Sequence, residues 1–202
     1  LFRSLAELVS AGSLPTVDER LPEEPLVIQP LESIGKYGGT MRKMETHDFW
    51  YQIDEPLLKK RPENGEVIPN LAKRWEVSDD LTTYTFWLRK GVKWSDGEPF
   101  TTEDIMFFYE DFLKNEEYNP AVPEWLSVGD EIAEVTAPDD YTLQIKFSGP
   151  KIGFLNSIVS NGDGHDLTNA PKHYLKQFHP NYTTDDELKK RIAEYRSEER
   201  RV

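Results

Sequence analysis

A mixed α/β fold (α+β), with antiparallel strands and short capped helices, follows from three patterns in this 202-residue chain. Tyr84, Phe86 and Leu88 alternate with Thr83, Thr85 and Trp87. Tyr141, Leu143, Ile145 and Phe147 alternate with Thr142, Gln144 and Lys146. A period of two gives a strand one dry face and one wet face. Between these strands Ile105, Phe108, Tyr109 and Phe112 fall at i, i+3, i+4 and i+7, one stripe along a helix.

The elements can be justified in chain order. Residues 2–11 predict a short helix in which Leu5, Leu8 and Val9 share a face, with Gly12 as its C-terminal cap. Pro15, Pro22, Pro25 and Pro30 then interrupt regular structure, and Leu26-Val27-Ile28 between them predicts a short buried strand. Tyr37-Gly38-Gly39 is a turn that delivers a strand near Thr40–Met44, followed by a loop from Glu45 to Tyr51. Asp54-Glu55-Pro56-Leu57-Leu58 places Pro where a first helical turn tolerates it. Glu63-Asn64-Gly65-Glu66 is a turn before a strand at Val67-Ile68.

Asp79-Asp80 turns the chain from a strand at Trp75–Val77 into the first alternating strand, and Lys90-Gly91 and Asp96-Gly97 are further turns. Thr101 caps the striped helix, with Asp104 in the place of the capping-box acid. Glu116 to Gly129 is a loop containing Pro120, Pro123 and Trp125. Residues 131–136 and 141–147 form a hairpin around Pro138-Asp139-Asp140. A short helix follows at Ile152, Phe154, Leu155 and Ile158, then a loop at Asn161–Gly164 and a helix from Pro171 to Phe178. The last helix starts at Thr184 with Glu187 completing a second capping box. Its acid-to-base pairs, Asp185/Lys189, Asp186/Lys190 and Glu187/Arg191, mark a solvated helix.

Composition narrows the function classes. Five Trp, nine Tyr and ten Phe are too many for a disordered tail, and 37% hydrophobic residues can build a core. A formal net charge of -13 argues against nucleic acid, whose phosphates require a Lys/Arg surplus, and against adsorption to anionic lipid. The absence of cysteine excludes disulfides and thiol chemistry. No apolar run approaches the roughly 20 residues of a membrane span. The chain opens on Leu1 rather than Met, so the expectation is a front removed by processing or cloning.

Catalytic and metal chemistry find little support. His165 adjoins Asp166, but His173 and His179 are six apart and do not share a helical face, so the histidines read as surface residues. No H-E-x-x-H is present, and Asp163-Gly164 lacks the alternating acids of a calcium loop. Ser33, Ser78, Ser95 and Ser127 have turn-like neighbours and no G-x-S-x-G setting. The acid pairs Asp79-Asp80, Glu116-Glu117 and Asp139-Asp140 suit turns, although two carboxyls and a tryptophan leave a carbohydrate-active enzyme as a distant alternative. No cofactor and no metal site is expected. Trp75, Trp87 and Trp94 read as core, whereas Trp50 and Trp125 lie in loops, where aromatics are often kept for ligands.

The stretch LAKRWEVSDDLTTYTFWLRKGVKWSDGEPFTTEDIMFFYED, residues 71–111, resembles the signature region of the family 5 extracellular solute-binding proteins, the peptide-binding receptors of ABC importers. The glycine pair, the Pro69-Asn70-Leu71-Ala72 segment and PKHYLKQFHP at 171–180 resemble the family too, and Glu55-Pro56-Leu57 resembles a short helix of the family. The resemblance implies a periplasmic-binding-protein-like fold of type II, a two-lobed clamp. Residues 1–44 would be the leader and first strand of a large subdomain, 45–148 a small β-rich subdomain, and 149–202 the start of the returning large-subdomain segment. The first lobe would be incomplete and the second lobe absent from this stretch. It further implies a non-enzymatic receptor that takes a peptide or oligopeptide and works with membrane permease subunits. Relatives that bind oligosaccharides or metal complexes supply the alternative ligands. The location implied is periplasmic or the outer face of the cytoplasmic membrane, with a signal sequence and a lipid-anchored Cys ahead of Leu1. By position, His47, Asp48 and Trp50 become ligand-binding candidates, joined by Tyr118 and Trp125 from the later loop.

Overall fold

A four-stranded antiparallel sheet carries the core of this protein, in a computed structural model that describes residues 5–30, 32–33, 55–61, 63–121, 123–159 and 166–199. The chain enters through two short helices, α1 (Leu5–Ser10) and α2 (Val17–Arg20). Strands β1 (Leu58–Lys60) and β2 (Val67–Pro69) form a hairpin. Then come β3 (Ala72–Val77), β4 (Thr83–Leu88) and helix α3 (Thr102–Phe107), which runs on as a π-helix over Phe108–Leu113. A 3₁₀ turn (Glu124–Leu126) leads to the small hairpin β5 (Ser127–Val128) and β6 (Glu131–Ile132), then β7 (Glu134–Asp139) and β8 (Thr142–Lys146). Helix α4 (Phe154–Ile158), helix α5 (Lys172–Leu175) with a 3₁₀ extension (Lys176–Phe178), and helix α6 (Asp185–Glu199) complete the described residues. Among these, no helix is long and apolar enough to cross a membrane.

The sheet order is β3-β4-β8-β7, every pair antiparallel. Tyr84 faces Ile145 and Phe86 faces Leu143 across β4 and β8, and Val135 faces Ile145 across β7 and β8. All five side chains are buried. The dry face is closed by Ile105 and Tyr109 from the helix, Phe154 and Ile158 from α4, and Leu57, Leu126 and Leu167. Tyr84, Phe147 and Phe154 meet edge to face at 4.8 to 5.9 Å, the geometry that aromatic quadrupoles favour. The Tyr84 hydroxyl donates to the Lys151 carbonyl at 2.7 Å, which satisfies the one polar atom this ring carries inward, and burial raises its pKa.

The Asp79-Asp80 turn needs Leu81 at φ 58°, a strained position for a side chain with a Cβ. Asp80 compensates by accepting from Ser78 Oγ, Thr82 N and Thr82 Oγ1. At the next turn Gly91 has φ 78°, and a Cβ there would stand 3.1 Å from the Glu23 backbone nitrogen. That close approach lets the leader dock. Glu23 N–H donates to the Lys90 carbonyl at 3.1 Å, and Arg89 bridges the carbonyls of Asn70 and Glu24 at 2.6 and 2.7 Å.

Several expectations need correction. Leu26-Val27-Ile28 is not a buried strand: Val27 and Ile28 are 72% and 69% exposed, and no described strand pairs with them. Hydrophobicity alone cannot make a strand without a neighbour to take its hydrogen bonds. The Glu55-Pro56-Leu57 segment is not helical: Leu57 and Leu58 are both buried, and the carbonyls of Pro56 and Leu57 accept from Leu71 and Ala72. The chain beyond α1, whose Leu8 and Val9 are partly buried, forms the expected glycine cap, with Gly12 N–H on Val9 and Ser13 N–H on Leu8. Trp87 lies off the core, on the wet face with Thr83 and Thr85, under the Arg74 guanidinium at 3.3 Å. The first hairpin strand is Glu134–Asp139 rather than 131–136, because Glu131 and Ile132 pair instead with Val128 and Ser127. The strand near Thr40–Met44 and the loop at Asn161–Gly164 lie outside the described residues.

Candidate functional site

Two distant pieces of sequence meet where α3 widens into its π-helix. Thr101 begins the helix with the expected capping box: its backbone N–H donates to Asp104 Oδ2 at 3.1 Å, and its hydroxyl accepts from Glu103 N–H at 3.2 Å. Asp104 has a second role. Its Oδ1 accepts the Lys172 N–H at 2.9 Å and its Oδ2 lies 3.3 Å from the Trp94 indole nitrogen. One carboxylate therefore ties the helix start to the signature turn and to α5.

The π-helix adds a residue to the turn and changes which side chains face inward. Ile105 and Tyr109 are buried as the stripe requires, but Phe108 and Phe112 are only half-buried, and Phe107 and Asp111 turn in. Asp111 accepts from Asn181 Nδ2 at 3.1 Å and from the Tyr182 hydroxyl at 2.7 Å. The hydrogen bond to Asp111 is the main reason the Tyr182 phenol is pushed up to about 12. His179 Nδ1 stands 4.0 Å from Asp111 but accepts the Asn181 backbone N–H at 3.2 Å. His179 is buried among Phe107, Phe112 and Tyr182, a correction to the surface reading of the histidines.

A cavity of about 410 Å³ opens beside this cluster. Phe112 and Tyr118 border it from the π-helix side, and Leu175, Phe178 and Pro180 from the returning segment. Asn115 Oδ1 accepts the N–H groups of Glu117 and Tyr118, an Asx turn that fixes the loop carrying Tyr118. The Tyr118 ring is 69% exposed and rests edge-on against Phe112 at 5.1 Å.

Trp125, the other candidate in this loop, sits in the 3₁₀ turn and packs half-buried on the core. Lys151 Nζ holds that turn by donating to the carbonyls of Glu124 and Ser127 at 2.6 and 2.7 Å. His47, Asp48 and Trp50 lie outside the described residues, as does His165. Among the described residues no group of three or more His, Cys, Asp or Glu could hold a metal ion.

His173 closes a second latch, Nε2 to Asp96 Oδ2 at 2.7 Å, between α5 and the signature turn. This hydrogen bond, helped by one from Glu98 N–H, holds the Asp96 carboxyl below the usual range. A depressed carboxylate pKa stabilises the fold above the unfolded value of about 3.9 and loses that contribution as pH falls through the lower folded value. The melting temperature of Asp96→Asn is therefore expected to fall less steeply than wild type between pH ~4 and ~2. Parallel acid limbs in the two melting series would count against the latch.

Sequence reasoning missed Asp111, Asn181, Tyr182 and the inward His179. A carboxylate seven residues after Asp104, inside an aromatic stripe, was the one available signal. Its partners lie 70 and 71 residues away and leave no local trace.

Comparison with known proteins gives this arrangement its context. The family model for bacterial extracellular solute-binding proteins, family 5, matches residues 66–195. The periplasmic alpha-galactoside-binding protein of Rhizobium meliloti is 33% identical over 220 aligned residues, covering 94% of this chain and 31% of that protein. The structure of an oligopeptide-binding protein, OppA, superposes with a TM-score of 0.79 at 45% identity, covering 92% of this chain and 29% of that one. The periplasmic binding protein MelB of Agrobacterium fabrum C58, solved with stachyose, gives a TM-score of 0.72 at 32% identity, covering 89% and 30%. The chain thus spans about three tenths of the length of these relatives. The mixed α/β fold is that of the type II periplasmic binding proteins, matched over part of their length. Matched over more than half its length, this chain belongs to the bacterial extracellular solute-binding proteins of family 5.

Proposed function

We propose that this chain is part of the receptor of an ABC importer, which captures a peptide or oligopeptide outside the cytoplasmic membrane and delivers it to permease subunits. The observation that carries this reading is the continuous β3–β4–α3 unit, pinned to α5 by Asp104 and superposing on OppA at 45% identity. Residues 1–44 and 149–202 supply the large subdomain and 45–148 the small one. Loading stabilises a closed clamp because the ligand binds closed lobes better than open ones. His47, Asp48, Trp50, Tyr118 and Trp125 are the ligand contacts from this part of the receptor, and no chemical step is assigned to them. The receptor works in the periplasm or, held by a lipid anchor, on the extracellular face of the cytoplasmic membrane.

A second reading keeps the receptor and changes the solute to an oligosaccharide. It is favoured by the alpha-galactoside-binding relative, by the MelB–stachyose structure, and by the open Tyr118 ring, which suits stacking against a sugar. Native mass spectrometry of the full-length protein from its source separates the two. A ladder of peptide masses supports the first reading, and an oligosaccharide mass supports the second. Failure to retain or bind any solute of either class, or a metal complex, defeats the receptor reading.

A further inference from the structure

The cavity beside Asp111 has an electrostatic character that none of the relatives' names describes. Phe112, Tyr118 and Phe178 give it three aromatic rings, Asp111 and Glu117 give it two carboxyls, and among the described residues that line it there is no lysine or arginine. The hydrogen-bond donors that Asp111 meets are an amide and a phenol. The base nearest in sequence, Lys114, is engaged by Glu110 at 2.7 Å. A negative charge in a poorly hydrated setting attracts a cation more strongly than it would in water. Aromatic faces add to that attraction.

We propose that this cavity binds an organic cation, an ammonium or guanidinium group on an apolar stem. The competing ligand classes fit less well. An anion meets two carboxyls and no base. A neutral sugar leaves the Asp111 charge without a counterpart. A bare calcium ion needs six or more oxygen ligands, and the Asp111 oxygens are already engaged with Asn181 and Tyr182. At about 410 Å³ the cavity lies within the range of small-molecule pockets. A peptide N-terminus, a basic peptide side chain and a free amine share the required chemistry. The assignment deepens the receptor reading by naming the group that this lobe selects, and rests on that reading only for its biological ligand.

The test is calorimetric titration of the full-length protein near neutral pH with phenethylammonium, 2-phenylethanol and phenylacetate, matched in shape and differing in charge. Phenethylammonium is expected to bind at least about tenfold tighter than the alcohol, with no binding of phenylacetate. Tyr118→Leu removes a largely exposed ring, leaves folding intact, and should weaken phenethylammonium about tenfold. Glu117→Gln should weaken it by less. Comparing Phe-Gly-Gly with its N-acetylated form identifies the source: abolition by acetylation points to a peptide N-terminus, while tighter binding of the simple amine than of either peptide points to free amines. Equal affinity for the alcohol, preference for phenylacetate, or ammonium binding untouched by Tyr118→Leu would overturn the assignment. If peptides or oligosaccharides bind the full-length protein and phenethylammonium does not, the cavity assignment falls alone. If phenethylammonium binds and no transport solute does, the receptor reading falls alone.

Discussion

Phe86→Ala is expected to destabilise the fold by about 3–5 kcal/mol, from lost burial and the cavity left behind. Phe86 is fully buried on the middle of β4, opposite Leu143 on one side and Trp75 on the other, with the Phe154 ring 6.5 Å away. Strands hold it on both sides and α4 covers it, so little can collapse into the gap. A domain stable by roughly 5–15 kcal/mol would lose a large share of its margin. Trp87→Ala is the control. It removes a larger side chain one residue along, but from the wet face, where it loses only partial burial and the Arg74 contact, about 1 kcal/mol. Urea unfolding with unchanged m-values compares the two directly. Equal losses would mean that the sheet does not discriminate its faces as described.

Asp111→Ala should be the most damaging polar change, at about 2–4 kcal/mol, because it leaves the Asn181 amide and the Tyr182 hydroxyl without their charged acceptor. Its effect should be local to the returning segment: amides of α6 should exchange faster while those of β4 and β8 keep their protection. Asp111→Asn should cost less, since one oxygen remains for Tyr182, but its amide would confront that of Asn181. Tyrosine titration provides an independent readout. In wild type the raised Tyr182 pKa means that its hydrogen bond stabilises the fold below the unfolded value of about 10 and is lost as pH rises through about 12. In either variant the tyrosine that ionises late should return toward the ordinary range. An unchanged titration curve would show that Asp111 is not the cause.

The elements legible in the sequence were those fixed by neighbours a few residues away. β4 and β8 announce themselves by alternation, and their buried residues are those the pattern requires. The capping boxes at Thr101 and Thr184 are local chemistry, and both form, Thr184 Oγ1 meeting Glu187 Oε2 at 2.8 Å. The 63–66 turn and the helix at 171–178 rest on the same kind of signal. Where a partner must come from elsewhere, the pattern misled. Leu26-Val27-Ile28 has strand composition without a neighbouring strand, and Glu55-Pro56-Leu57 looks like a helix start until Ala72 takes the Leu57 carbonyl at 2.9 Å.

For the candidate site the division is similar. Tyr118 reads as a loop aromatic and the Asx turn that sets its loop is local, but the cavity it borders forms only with Leu175 and Phe178 from the distant segment. Nothing near Asp111 in sequence reveals that Asn181 and Tyr182 complete its hydrogen bonds, or that a π-helix turns it inward.

The sequence by itself determined the family, the dry and wet faces of the central strands and the helix starts, because those depend on side-chain order and on hydrogen bonds within one turn. Only the tertiary structure decided which charges are buried, which aromatic rings border the cavity and how the returning segment is latched at Asp104, Asp96 and Asp111. These features arise when segments about 70 residues apart pack together. The energy of burying a carboxylate is set by whichever donors that packing brings to it.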